Sequence, residues 1–124
     1  MNIGSGTGYL STLVGQILAS NDTNHGIELH KDAIEYANTK IEQFMKYSDG
    51  FNVSKFCKPV FMHGNVHCLD ISFRKYNRVY VGARLLDENT KQNIKELVKV
   101  GGILVFPSGE NVCLFQWLLI LISY

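Results

Sequence analysis

Gly4-Ser5-Gly6-Thr7-Gly8 constrains this chain more than any other stretch. Three glycines at alternate positions allow tight turns and bring backbone N–H groups into the open, where a side chain would otherwise stand. Met1-Asn2-Ile3 before them reads as the end of a strand. After them Leu10, Leu13, Val14, Ile17 and Leu18 recur at i, i+3, i+4, i+7 and i+8, the stripe of an amphipathic helix. A strand, a glycine loop and a helix in that order aim the helix N-terminus at the loop, a setting that favours a carboxylate or a phosphate. A plain strand-to-helix turn also uses glycine, so the run alone is a weak signal.

The rest of the chain repeats the alternation. Asn24 to Leu29 reads as a strand. A helix from about His30 to Tyr47 follows, with Ile34, Ala37, Ile41, Phe44 and Met45 on its buried face and Asp32 in its first turn. Ser48 to Lys58 is polar and irregular. Val60 to His63 and Arg78 to Gly82 give two further strands. Asp87-Glu88 opens a third helix, expected to run to about Val100 and to stop at Gly101-Gly102. Ile103 to Phe106 is a fifth strand closed by Pro107, and the aromatic residues Tyr76, Tyr80 and Phe106 are expected in the core. Helices and strands at this spacing predict an α/β fold, a parallel sheet with helices on both faces. Such sheets bind ligands at the carboxyl ends of their strands.

Glu28 sharpens that expectation. It ends the second strand about 20 residues after the glycines, where nucleotide-binding sheets place an acid on the ribose hydroxyls. The dinucleotide fingerprint is GxGxxG, whereas here the spacing is GxGxG with Tyr9 after Gly8. That favours S-adenosylmethionine, which has no pyrophosphate to cradle, over NAD; a zwitterionic amino-acid end would meet the loop instead.

Several blocks together resemble the protein-L-isoaspartate O-methyltransferases. Asn2 to Leu10 resembles their first motif, and His25 to His30 their second-strand motif. Gly64-Asn65 stands where they carry Gly-Asp. Tyr76 to Ala83 is similar to their fourth-strand motif, and Leu97 to Pro107 to the helix end and fifth strand. The resemblance covers about residues 2 to 110 and is nearest to the branch called protein-L-isoaspartate O-methyltransferase domain-containing proteins. It implies a Rossmann-like class I S-adenosylmethionine-dependent methyltransferase fold, truncated at both ends. Residues 1-110 would form a partial cofactor-binding domain and 111-124 an apolar tail. Gly4, Ser5, Gly6 and Gly8 would shape the loop at the methionine end of S-adenosylmethionine, Glu28 would hold the ribose, and Asn65 with Val66 would flank the adenine. The acceptor would be the carboxylate of a damaged aspartyl residue in a protein, already ionised at neutral pH, so no general base is required and no catalytic side chain is assigned. Asn2 and Asn65 stand where the enzymes carry acids, which implies weaker cofactor binding. It also leaves open a non-catalytic adaptor that binds S-adenosylmethionine or isoaspartyl proteins. In that branch a SOCS-box-like extension implies recruitment to a ubiquitin ligase. No such extension is present in these residues, and the resemblance implies a fragment, inactive alone, lacking the substrate-side segment before the first strand.

Composition supports the remaining expectations. Twelve Lys and Arg against eleven Asp and Glu give a net charge of +1, with no electrostatic case for nucleic acid or an anionic membrane. The 124 residues allow one domain at most. The apolar run Val112 to Ile122 is too short to span a bilayer, which needs about 20 residues. Cys57, Cys68 and Cys113 are scattered and odd in number, which suggests a reducing, cytoplasmic compartment rather than a disulfide framework. His63 and His67 beside Cys68 have half a metal motif, but Gly64-Asn65 interrupts the helix that would align them, so no metal is expected.

Overall fold

A computed structural model describes residues 1–70, 72, 74–85 and 87–117. Leu118 to Tyr124, the second half of the tail 111–124, lie outside them. The chain packs as two compact units, Met1–Val66 and His67–Tyr124.

The first unit holds β1 (Asn2–Ile3), α1 (Tyr9–Ile17), β2 (His25–Glu28), α2 (Lys31–Tyr47) and β3 (Val60–His63). β2 pairs in parallel with β1 and with β3; Ile3 stands opposite Ile27, and Glu28 opposite His63. Parallel pairs need a crossover, and the two helices supply it. α2 buries Ile34, Ala37 and Ile41 as its periodicity requires. With Ile3, Ile27, Phe56 and Cys57 they make the core of this unit. Phe44 and Phe51 pack edge to face beside Phe56.

α1 reverses the expectation from its apolar stripe. Leu10, Leu13 and Ile17 are exposed, Ile17 by 84%, while the buried residues are Ser11 and Gly15. The reason is closeness of approach. A Cβ on Gly15 would lie 2.5 Å from the Cys57 carbonyl oxygen, and the Cys57 amide in turn donates to the Gly15 carbonyl at 2.9 Å. Only the small-residue face of the helix fits against that backbone.

The second unit holds β4 (Tyr76–Val81), α3 (Glu88–Glu96), β5 (Val98–Ser108) and β6 (Asn111–Gln116). β4 and β5 are parallel; β5 and β6 are antiparallel, joined by the Gly109-Glu110 turn. The sheet strands are therefore mixed in direction rather than all parallel. Asp87 caps α3, its Oδ1 accepting the Thr90 amide at 2.7 Å. α3 ends at Glu96, four residues short of the predicted end, because Leu97 and Val98 turn into the strand: the Tyr76 amide donates to Leu97 O at 2.7 Å, and Val98 pairs with Tyr76. Gly101-Gly102 consequently stops no helix. Gly101 has φ 79. Its amide donates to Trp117 O at 2.8 Å, and the Trp117 amide donates to Gly102 O at 3.2 Å. Two residues of β5 thus face one of the neighbouring strand, a β-bulge of the type that wants glycine in a left-handed conformation. On the other side of β5 the register shifts between Tyr76 and Arg78. β5 also runs through Pro107, which stands opposite Val112. Val79, Val81, Ile94, Leu97, Val98 and Leu104 form the core of this unit with Tyr76, whereas Tyr80 is exposed, contrary to the expectation for it.

Candidate functional site

The glycine loop is tied down from three directions within the first unit. The amides of Gly4 and Ser5 both donate to the Ile27 carbonyl, at 2.9 and 3.1 Å. The Gly8 amide donates to Ser5 O at 3.0 Å, closing the turn. The Gly6 amide donates to Glu28 Oε2 at 2.8 Å. Gly4, Gly6 and Gly8 all have positive φ, the region where residues with a Cβ are strained. Gly8 also has no room for a side chain, since a Cβ there would lie 2.8 Å from the Phe61 ring and 2.9 Å from Ala37. Gly6 is the opposite case: a Cβ there would meet nothing within 4 Å. Its backbone faces open space, where another molecule can approach it. Gly8 forms the N-cap of α1 and offers no side chain to the first turn, whose amides are left for other acceptors.

Glu28 is 7% exposed and is the acid that organises this end of the unit. Its Oε2 holds Gly6, and its Oε1 accepts the amide of His30, the N-cap residue of α2, at 3.0 Å. A carboxylate oxygen has two lone pairs, so each retains an acceptor position. Two adjacent hydroxyls are the complement of such a pair. The Gly64 amide donates to the Glu28 carbonyl at 3.0 Å, which sets Asn65 and Val66 immediately beyond the carboxyl end of β3, beside the end of β2. Val66 opens the short 3₁₀ turn Val66–Cys68. Every residue the sequence marked for the site thus lies at the carboxyl ends of β1, β2 and β3.

Two buried polar atoms here have no partner among the described residues: Asn2 Oδ1 and Ser5 Oγ. Asn2 itself is held by its other end, Nδ2 donating to Ser11 Oγ at 3.1 Å. An unsatisfied hydroxyl inside a glycine loop costs free energy unless a ligand or water meets it. Open backbone at Gly6, spare acceptor capacity on Glu28 and the orphaned Ser5 hydroxyl together fit a nucleoside-linked amino acid. Sequence reasoning missed Ser11 and Asn24 as supports. Asn24 Nδ2 donates to Ser11 O at 2.8 Å and to Cys57 O at 3.1 Å, fixing α1 beneath the loop. Their signal was present in the small residues Ser11 and Gly15, spaced i, i+4 on the face opposite the leucines. His63 Nε2 is 3.0 Å from Leu29 O, while His67 Nδ1 is 3.0 Å from Asp87 Oδ2 and 2.7 Å from Thr90 Oγ1; the two rings serve separate networks.

The family model for protein-L-isoaspartate(D-aspartate) O-methyltransferase matches residues 1–118. The chain belongs to that family. The match takes in β6 as well as the blocks quoted above. A solved protein-L-isoaspartate O-methyltransferase superposes with a TM-score of 0.71 at 17% identity, covering 94% of this chain and 35% of the other. A methyltransferase from Thiobacillus denitrificans in complex with S-adenosyl-L-homocysteine gives 0.62 at 20% identity, over 84% of this chain and 39% of that one. An arsenic(III) S-adenosylmethionine methyltransferase from Chlamydomonas reinhardtii gives 0.65 at 16% identity, over 85% and 36%. The fold is therefore that of class I S-adenosylmethionine-dependent methyltransferases, and S-adenosylmethionine is the cofactor it implies. The chain spans well under half the length of these three structures. Among the described residues no helix is long and apolar enough to cross a membrane.

Proposed function

We propose that this chain carries the cofactor-binding part of an S-adenosylmethionine-dependent protein-L-isoaspartate O-methyltransferase, a protein-repair activity acting on isoaspartyl residues in proteins. One observation carries the reading: in a chain of this family, the amide of Gly6 and the N-terminus of α2 converge on the buried carboxylate of Glu28. Glu28 takes the ribose hydroxyls on its remaining acceptor positions. The first-turn amides of α1 and the Gly6 backbone meet the methionine end, with the Ser5 hydroxyl as a further donor or acceptor. Asn65 and Val66 flank the adenine. When bound, the cofactor supplies a methyl group activated by a sulfonium. What these residues contribute is position: a methyl acceptor that is already a carboxylate needs alignment rather than deprotonation, and misplacement by about 1 Å costs on the order of a hundredfold in rate. The three cysteines, all unpaired, suit a cytoplasmic, reducing setting.

The test uses the purified chain, labelled S-adenosylmethionine and an isoaspartyl peptide, beside a Gly6→Val control. Binding of S-adenosylmethionine by the parent and not by the control, without ester, supports the proposal for a part that is inactive alone. Base-labile methyl ester above the control overturns the expectation of inactivity and assigns methyl transfer to this chain itself. No binding overturns the site itself.

A further inference from the structure

Asp49 is the only aspartate or asparagine in the sequence that is followed by glycine. It stands in the turn just past the end of α2. The Phe51 amide donates to the Ser48 carbonyl at 3.3 Å, and Gly50 between them has φ 68. Among the described residues only glycines have positive φ, so residues 48–51 have the pattern of a type II turn, with glycine at its third position. The Gly50 amide has no acceptor among the described residues. The Asp49 side chain is exposed, and among the same residues it has no hydrogen bond and no ion pair. A Cβ on Gly50 would meet nothing within 4 Å, so the space around its nitrogen is open. The Asp49 Cγ and the Gly50 nitrogen are linked through Cβ, Cα and the carbonyl carbon, and a bond between them closes a five-membered ring. Holding the two reactants in one chain replaces collision by proximity. A side chain on the residue that supplies the nitrogen would crowd the attack, and glycine has none.

We propose that Asp49 is a spontaneous modification site, at which the chain ages to an isoaspartyl form and becomes a methyl acceptor for the class of activity found in its own family. The Gly50 nitrogen attacks Cγ of the protonated Asp49 carboxyl. An N–Cγ bond forms, one Cγ–O bond breaks, and that oxygen leaves as water with the carboxyl proton and the amide proton. The product is a cyclic imide. Water then adds to one of its two carbonyl carbons. Opening at Cγ restores aspartate. Opening at the main-chain carbon breaks the original peptide bond, leaves the chain joined through Cγ and frees an α-carboxylate. Overall no atom is gained or lost, and nothing is oxidised or reduced. The new α-carboxylate is ionised at neutral pH and stands on an exposed turn, where an enzyme can reach it in trans. The imide forms without an enzyme, so the inference does not depend on the function proposed for the glycine loop.

The 124-residue chain is incubated at physiological pH and temperature, then offered labelled S-adenosylmethionine and a separate, active isoaspartyl methyltransferase. Base-labile label should rise with incubation time. The tryptic peptide from Tyr47 to Lys55 should split into two forms of equal mass, one of which stops stepwise amino-terminal degradation at residue 49. Equal mass separates this event from loss of ammonia at Asn52 in the same peptide. Asp49→Glu keeps the charge but would have to close a six-membered ring, and it should lose the label. Asp49→Asn should take up label sooner than the parent, because a neutral amide is a better electrophile than a carboxyl that is ionised at neutral pH. Both changes fall on an exposed side chain without partners among the described residues, so neither should disturb the fold. A parent peptide 47–55 that stays wholly aspartyl, or label that persists in Asp49→Glu, overturns the proposal.

Discussion

Gly6 and Glu28, 22 residues apart in sequence, are joined by a hydrogen bond of 2.8 Å from the Gly6 amide to Oε2. The acid thus holds the loop in shape as well as offering acceptors to a ligand. Glu28→Ala should therefore lose more affinity for S-adenosylmethionine than one contact is worth. A hydrogen bond to a charged group contributes about 1.5–3 kcal/mol, so a loss of tenfold is the lower limit. Glu28→Gln should fare little better, because an amide NH2 would face either the Gly6 or the His30 amide, donor against donor. Calorimetric titration checks both; wild-type affinity in either variant removes Glu28 from the site.

The middle and the carboxyl end of the loop should respond differently to substitution. Gly6→Val should abolish binding, since its side chain would enter the open space a ligand uses, while costing the fold only the strain of a positive φ, about 1–2 kcal/mol. Gly8→Ala adds a clash with Phe61 and Ala37 to the same strain and should lower stability by a further 1–3 kcal/mol or so. Denaturant melts alongside binding curves separate the effects. Equal stability losses would contradict the reading of the loop.

Helix propensity and packing disagree at Gly15, and packing should win. Alanine is the better helix former by about 1 kcal/mol. Its methyl, however, would press at 2.5 Å on the backbone oxygen of Cys57, which cannot swing aside as a side chain can. Gly15→Ala should be destabilising, and a raised thermal midpoint would show that α1 can lift away from that segment. On the opposite face Leu13→Lys and Ile17→Lys should each fall within about 0.5 kcal/mol of the parent, as exposed positions do. Ile41→Ala, in the core, should cost about 2–5 kcal/mol.

Those positions mark where the sequence was legible. The parallel strands, the glycine loop and its acid were readable because each depends on residues close in sequence or at a fixed spacing. α2 was readable because its face meets an apolar neighbour. α1 was not, since its leucines suggested the buried side, whereas the surroundings admit only Ser11 and Gly15. The end of α3 failed for a similar reason: Val98 and Val100 can extend a helix in isolation, but pairing with β4 draws the chain into a strand, and Gly101-Gly102 serves a bulge that no local pattern announces.

Acid should weaken the second unit through Asp87. Hydrogen bonds from the Thr90 amide and hydroxyl hold its carboxyl below the ordinary 3.8, with His67 adding to the effect. A carboxylate depressed in the folded state stabilises fully above its unfolded pKa and loses that contribution as pH falls through the folded one. The stability difference between the parent and Asp87→Ala should hence be constant above about pH 5 and shrink below 3.8. A difference that grows on acidification would contradict the capping role.

The two-residue turn between β5 and β6 also has a kinetic meaning. A hairpin closes in about 1–10 μs, whereas the parallel pairs β1–β2 and β2–β3 must each wait for a helix to fold between them. Ordering should begin at the carboxyl-terminal hairpin, with the bulge opposite Trp117 fixing its register at the outset. The bonds from Gly4 and Ser5 to Ile27 come only after β1 has found β2, so the loop is among the last parts to assemble. Pulsed hydrogen exchange should find the hairpin amides protected before those of Gly4 to Gly8, and simultaneous protection would remove this order. A chain released early from its folding path would accordingly present its carboxyl-terminal hairpin before it could hold a cofactor.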